Sequence, residues 1–214
     1  MSKRFLIVLV VLAIAFGGFI WFSKSKDAKA PSGGNDKTSN HVYGAGNKKV
    51  TFVEYGDFEC PACGAYYPYI EEVRQKYGDD ITFQFRHFPL VQIHKNAMAA
   101  HRAAEAAGKQ GKFWEMYNVL YSQQQSWTAS GNAGLAIEPY AEQLGLNMDQ
   151  YRTDVSSSAV NDTINADLKA GQALGINSTP TFFVNDKKID PLPDRSVEAF
   201  SKLIDEAIAE ANKQ

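Results

Sequence analysis

Residues 56–68 read GDFECPACGAYYP, and they hold Cys60 and Cys63, both cysteines of a 214-residue chain. A β-branched and aromatic run, KKVTFVEY at 48–55, precedes them with the length of a strand. From Pro61 the pattern turns helical: Ile70, Val73 and Tyr77 recur at i, i+3 and i+7, and Gly78 supplies a stop. ITFQFRHF at 81–88 then alternates Ile81, Phe83 and Phe85, as a second strand does. Strand, turn, helix and strand make a β-α-β unit, whose two strands are expected to run parallel with a right-handed crossover.

That setting gives the cysteines a chemistry. Pro61 suits the first helical position, where a missing N–H is tolerated, so Cys60 is expected at the helix N-cap. Unpaired N–H groups and the positive end of the helix dipole favour a thiolate there. Cys63 returns to the same face one turn deeper, within reach of a reversible disulfide. Three other readings compete. A structural disulfide across so short a loop adds little stability, because the gain grows with loop length. A zinc site needs about four ligands, and no second CxxC or spaced His pair accompanies this one. Two inert cysteines leave Pro61 and the helix start without a reason. A redox dithiol is the expectation, with no metal at the pair.

Outward from the dithiol, 44% hydrophobic and 12% aromatic residues with a formal charge of −2 describe ordinary globular material, and nothing in that balance points to nucleic acid. After a basic tail at 1–4, residues 5–22, FLIVLVVLAIAFGGFIWF, form an uncharged run of 18, long enough to cross a membrane as a helix. Lys3 and Arg4 precede the run, and Trp21 and Phe22 close it. AKA at 28–30 offers a cleavage pattern, but Lys24, Lys26 and Asp27 separate it from the run and Pro31 would follow the cut. An uncleaved anchor is therefore expected, with a removed signal peptide as the alternative. Lys24, Lys26 and Lys29 nearly cancel Lys3 and Arg4, so charge leaves the orientation open. Residues 23–47, rich in Ser, Gly, Lys and Asn, read as a flexible tether, which starts the folded unit near Lys48.

Beyond the second strand the chain reads as helix. Ala97 to Ala107 includes seven alanines, and Phe113, Met116, Tyr117, Leu120 and Tyr121 hold an i, i+3, i+4, i+7, i+8 stripe. Ile137, Tyr140, Ala141 and Leu144 make a helix that stops at Gly145; Val160, Ile164 and Leu168 belong to another. Trp114 and Trp127 are expected in the core rather than as a docking surface, and His87, His94 and His101 are expected to be structural. TPTFFVN at 179–185 returns to strand, Asn185 and Asp186 begin a hairpin, and Phe200, Leu203, Ile204, Ala207 and Ile208 give a closing amphipathic helix. Glu54 shares a strand face with Val50 and Phe52, so its carboxyl is expected to be buried beneath the CxxC with a raised pKa; an exposed Glu at a strand end is the alternative.

Four motifs in order, VEYGDFECPACGAYYP (53–68), FQFRHFPL (83–90), NAMAAHRAAEAAGKQGKFWEMYNVLY (96–121) and LGINSTPTFFVN (174–185), resemble the DsbA-like thiol-disulfide oxidoreductases. The resemblance covers Lys48 to the C-terminus. It implies an α/β architecture, a thioredoxin fold at 48–92 and 172–214 with an all-helical insertion at 93–171. It implies that Pro180 is cis and faces the dithiol, that the backbone at Thr179 pairs with extended substrate, and that Glu54 relays protons to Cys63. A trans Pro180 opening an edge strand is the alternative. Pro61 and Ala62 are implied to tune Cys60.

By the same resemblance the enzyme needs no organic cofactor. Its substrates are exported proteins with cysteine thiols, its domain is extracytoplasmic on the membrane anchor, and its electrons pass to a membrane reoxidase of the DsbB or vitamin K epoxide reductase type. Oxidising members often carry His where this chain has Ala62, and Glu59 sits beside Cys60 with a charge that opposes its thiolate. A mild oxidase is therefore expected. A reductase or isomerase is the alternative within the same chemistry, and a non-catalytic binding module the alternative outside it.

Overall fold

The computed structural model describes residues 38–213. The expected tail at 1–4, the anchor at 5–22 and the tether as far as residue 37 lie outside the described residues. Among those described, no helix is long and apolar enough to cross a membrane.

Among the described residues five strands, β1 (His41–Tyr43), β2 (Val50–Gly56), β3 (Ile81–His87), β4 (Thr181–Val184) and β5 (Lys187–Lys188), form one sheet in the order β1-β3-β2-β4-β5. β2 and β3 pair in parallel from Val50 opposite Ile81 to Gly56 opposite His87, as the β-α-β pattern requires, and helix α1 (Pro61–Tyr77) makes the crossover. β4 lies antiparallel to β2, and β5 antiparallel to β4. Asn185 takes the left-handed backbone (φ 53°) that the tight β4–β5 turn needs.

β2 carries no polar alternation because both of its faces are covered. Phe52, Phe182 and Val184 pack with Ile70 and Val73 of α1 and with Phe200 and Ile204 of the closing helix α8 (Val197–Ala211). Val53, Tyr55 and Phe183 turn the other way, onto Phe88 and Ile176.

Between the two parts of the sheet the chain forms α2 (Ala97–Gly108), α3 (Phe113–Ser122), α4 (Gln124–Thr128), α5 (Ala133–Gln143), α6 (Met148–Val155) and α7 (Ser158–Ala173). The expected stripe of α3 is buried throughout, and six of the α2 alanines are buried beside it. Trp127 is fully buried, with Nε1–H donating to the Leu120 carbonyl at 2.7 Å, and belongs to the core. Asn132, Asn147, Ser157 and Ser196 cap α5, α6, α7 and α8 through their side chains.

The fold begins earlier than Lys48. His41–Tyr43 pair antiparallel with Phe83–Phe85, and buried Ser39 donates its N–H to Asp167 Oδ1 at 3.0 Å. Asp167 also pairs with Arg86 at 3.1 Å. Three strand residues before Gly44 and Gly46 carry too weak a local signal to be seen in a polar stretch. They are strand because the edge of β3 offers unpaired backbone groups and Asp167 pins the entry.

Candidate active site

The turn from β2 into α1 positions both thiols. Cys60 is the N-cap in extended conformation (φ −66°, ψ 120°), Pro61 opens the helix, and Cys60 N–H is held by the Asp57 carbonyl at 3.1 Å. The Asp57 carboxylate fixes the loop around it: Oδ1 accepts from Glu59 N–H at 2.9 Å, Oδ2 accepts from Leu90 N–H at 2.8 Å and meets His94 Nδ1 at 2.8 Å. Burial pushes that carboxyl up, but the contacts of His101 and His94 and the Leu90 N–H hold it at about 2.

The two thiols differ sharply. Cys60 is 6% exposed and Cys63 1%. The hydrogen bond from the Cys63 thiol draws the Cys60 pKa down; burial opposes this, while Thr179 and the backbone N–H groups of Cys63 and Ala62 add to it, and the result is about 5. No side-chain capping bond of ordinary geometry is made by Cys60, so those amides act as the open positive end of the helix. Cys63 is pushed well above its usual value by burial, by its bond to Cys60, and by the charges of Cys60 and Glu54.

Thr179 and Pro180 close the site from the other side. The Thr179–Pro180 bond is cis, and Cys60 Sγ donates to the Thr179 carbonyl at 3.4 Å. The buried Thr179 hydroxyl has no partner beside the thiol and is free to turn its proton towards a thiolate. A second cis bond, Asp190–Pro191, lies outside what the sequence patterns indicated.

Glu54 lies where strand alternation put it, 3% exposed. Tyr117 Oη donates to Oε2 at 2.8 Å and Tyr121 Oη to Oε1 at 3.4 Å. Burial raises its pKa to about 7 against the lowering effect of the two tyrosines and Arg74. Glu59 is turned away from the expected opposition to Cys60: its carboxylate accepts from Asn96 N–H at 2.6 Å and Asn96 Nδ2 at 3.1 Å, at the start of α2.

Cys60, Cys63, Pro61, Ala62, Thr179, Pro180 and Glu54 thus stand at one site. Residues from the helical insertion complete it, and the sequence pattern gave no sign of them. Gln124 Nε2 donates to the Phe58 carbonyl at 2.7 Å and the Cys60 carbonyl at 2.9 Å, tying α4 to the dithiol turn. Gly64 leaves room for this approach, since a Cβ there would sit 2.4 Å from Gln124 Oε1 and oblige the amide to shift. Tyr117 and Tyr121 were legible only as core. Beside Pro61 opens a cleft of about 770 Å³, lined by Gly64, Tyr121, Gln124, Gln125 and Thr128.

A family model described as thioredoxin matches residues 36–206. Among solved structures, a thioredoxin-like oxidoreductase from Silicibacter pomeroyi is 26% identical with a TM-score of 0.65, covering 78% of this chain and 91% of that one. Alpha-DsbA1 of Wolbachia pipientis, at 21% identity, superposes with a TM-score of 0.69 over 84% of this chain and 94% of its own. Among curated proteins, a Na+/H+ antiporter named NhaA 1 from Mycolicibacterium gilvum is 41% identical over 155 residues, 72% of this chain. The chain spans about a quarter of the length of the curated relatives it matches, 24% in that case. With the family model matched over residues 36–206 and the dithiol at a helix start, the chain belongs to the thioredoxin family.

Proposed function

We propose that the chain is an extracytoplasmic dithiol oxidase that introduces disulfides into exported proteins, with residues 5–22 as its membrane anchor. The observation that carries this reading is the asymmetry of the pair, one thiol drawn down to about 5 and its neighbour pushed well above the ordinary value. Stabilising the thiolate stabilises the reduced form, which makes the disulfide oxidising. A pKa of about 5 lies between thioredoxin at roughly 7 and DsbA at roughly 3.5, so the oxidase is a mild one.

In the forward reaction a substrate thiolate attacks Cys60 Sγ of the Cys60–Cys63 disulfide. The bond between the two enzyme sulfurs breaks, and Cys63 leaves with the electron pair and takes up a proton. Glu54, poised at about 7 in the same buried pocket, supplies it. A second substrate thiolate then attacks the substrate sulfur of the mixed disulfide, and Cys60 departs as a thiolate. The substrate has lost two electrons; the enzyme holds them as the dithiol, the form present in this structure. No organic cofactor takes part, and a membrane reoxidase of the DsbB or vitamin K epoxide reductase type removes the electrons. The Thr179 backbone and the polar cleft beside Pro61 suit an extended polypeptide.

Equilibration with glutathione buffers, paired with thiol trapping in growing cells, tests the direction. The expected potential lies between roughly −120 and −270 mV with the pair oxidised in vivo. A potential more reducing than the glutathione poise, with both cysteines found as thiols, would establish the reductase that exposed Ala62, with no polar side chain for Cys60, favours. Protease added to intact spheroplasts should remove the domain; protection until lysis would place it in the cytoplasm.

A further inference from the structure

The chain has four histidines, and all four fall in one connected cluster that the dithiol chemistry does not use. His41 Nε2 from β1 and His87 Nε2 from the end of β3 both meet Glu105 Oε1 of α2, His87 at 2.6 Å. Behind them His87 Nδ1 lies 2.6 Å from His101 Nδ1. His101 Nε2 stands 3.6 Å from Asp57 Oδ1, and His94 Nδ1 meets the other Asp57 oxygen. His87 and His101 are fully buried, and Glu105 is 7% exposed.

Counting protons exposes a conflict. Only one proton fits between the two Nδ1 atoms. If His101 supplies it, His101 Nε2 is left bare, buried, without a hydrogen-bond partner and facing a carboxylate. If His87 supplies it, His101 Nε2 carries its proton towards Asp57, as a buried nitrogen beside a carboxylate should. With its Nδ1 proton so placed, His87 aims Nε2 at the Glu105 carboxylate 2.6 Å away, and a cation between the two satisfies both lone pairs. The local charge agrees, since Arg86 pairs with Asp167 and, among the described residues, Asp57 and Glu105 meet histidines rather than a Lys or Arg.

We propose that His41, His87 and Glu105 bind a divalent first-row transition ion. Their three ligand atoms lie within 4.8 Å of one another, and two imidazoles with one carboxylate suit zinc and its neighbours rather than calcium or magnesium. Zinc holds such ligands at about 2.0–2.2 Å, so Glu105 Oε1 withdraws from the two nitrogens by about 1 Å, and water takes the fourth position. His101 and Asp57 orient the His87 ring from behind. His41, 14% exposed at the edge strand, is the route of entry.

The test uses the full chain carrying Cys60→Ser and Cys63→Ser, which removes the dithiol's own affinity for zinc, stripped with chelator and titrated with Zn2+ by calorimetry. One equivalent per chain is expected, confirmed by elemental analysis, with a rise in Tm. His41→Ala, at the partly exposed position, should weaken binding by more than the roughly 10- to 100-fold lost with an outer-shell partner. Should that variant fold poorly, the d–d absorption of Co2+ in the chain with His41 intact reads the site directly, and a tetrahedral spectrum that Glu105→Gln abolishes supports the assignment. Substoichiometric zinc, affinity unchanged by His41→Ala, or calcium binding in place of zinc would each overturn it, leaving the cluster as a hydrogen-bonded network.

Discussion

Glu54→Gln isolates one buried charge. The carboxyl is raised from 4.5 to about 7, with burial as the first cause. At about 1.4 kcal/mol for each tenfold change in proton affinity, charging it costs about 3 kcal/mol more in the folded protein than in the unfolded chain. The sign follows from proton binding: between 4.5 and about 7 the folded state holds the proton and the unfolded state has lost it, so stability falls as pH rises through that window. Gln keeps an oxygen for the Tyr117 hydroxyl, 2.8 Å away in the wild type, and cannot ionise. Denaturant unfolding of the oxidised protein, in which the cysteines do not titrate, should give wild type and Glu54→Gln similar stabilities near about pH 4. By about pH 8 the variant should be ahead by about 3 kcal/mol, because groups common to both proteins cancel in the difference. Parallel stability profiles across that range would show that Glu54 is not desolvated as described.

Iodoacetamide should modify Cys60 with a half-maximal rate near pH 5, the point at which its thiolate forms, and leave Cys63 untouched in the native dithiol; equal alkylation rates would remove the assignment of nucleophile. Thr179→Val deletes a side-chain hydroxyl placed to meet the thiolate, and at about 1.5–3 kcal/mol for a charge-assisted bond it should raise the Cys60 pKa by about one to two. Ultraviolet thiolate absorbance reads this, and an unmoved midpoint counts against the role. Gly64→Ala should destabilise the wild type, where the new methyl meets Gln124 Oε1, yet stabilise a Gln124→Ala background by up to about 1 kcal/mol through better helix propensity. Additive effects in that double-mutant cycle would mean the two residues do not touch.

What the sequence disclosed was what short-range pattern controls. The CxxC, Pro61 and the flanking alternations define a β-α-β unit within 41 residues from Lys48 to Phe88, and period alone buried Glu54, the α3 stripe and α8. The unseen parts depend on contacts distant in sequence. Gln124 reaches Cys60 across 64 positions, and Ser39 meets Asp167 across 128. Neither residue breaks any local rule, so neither attracts notice. The histidines seemed unrelated for the same reason: a strand end, a loop and a helix meet through His101 and Asp57, and His41 joins them only when β1 closes on β3. Glu59, adjacent to Cys60 in sequence, turned out to serve Asn96, because helix α2 presents free N–H groups that a carboxylate satisfies.

The ends of the sheet govern how the protein keeps company with unfolded chains. β2 and β3, each seven residues long, would template the addition of foreign strands if they lay at a margin. Instead the margins are β1, three residues long, and β5, a pair of exposed lysines. An enzyme proposed to handle extended polypeptide at a dithiol works amid segments that seek an open strand to pair with. Short and lysine-marked borders give such segments little to grow on, so a client is met at Cys60 and released rather than recruited into a mixed aggregate.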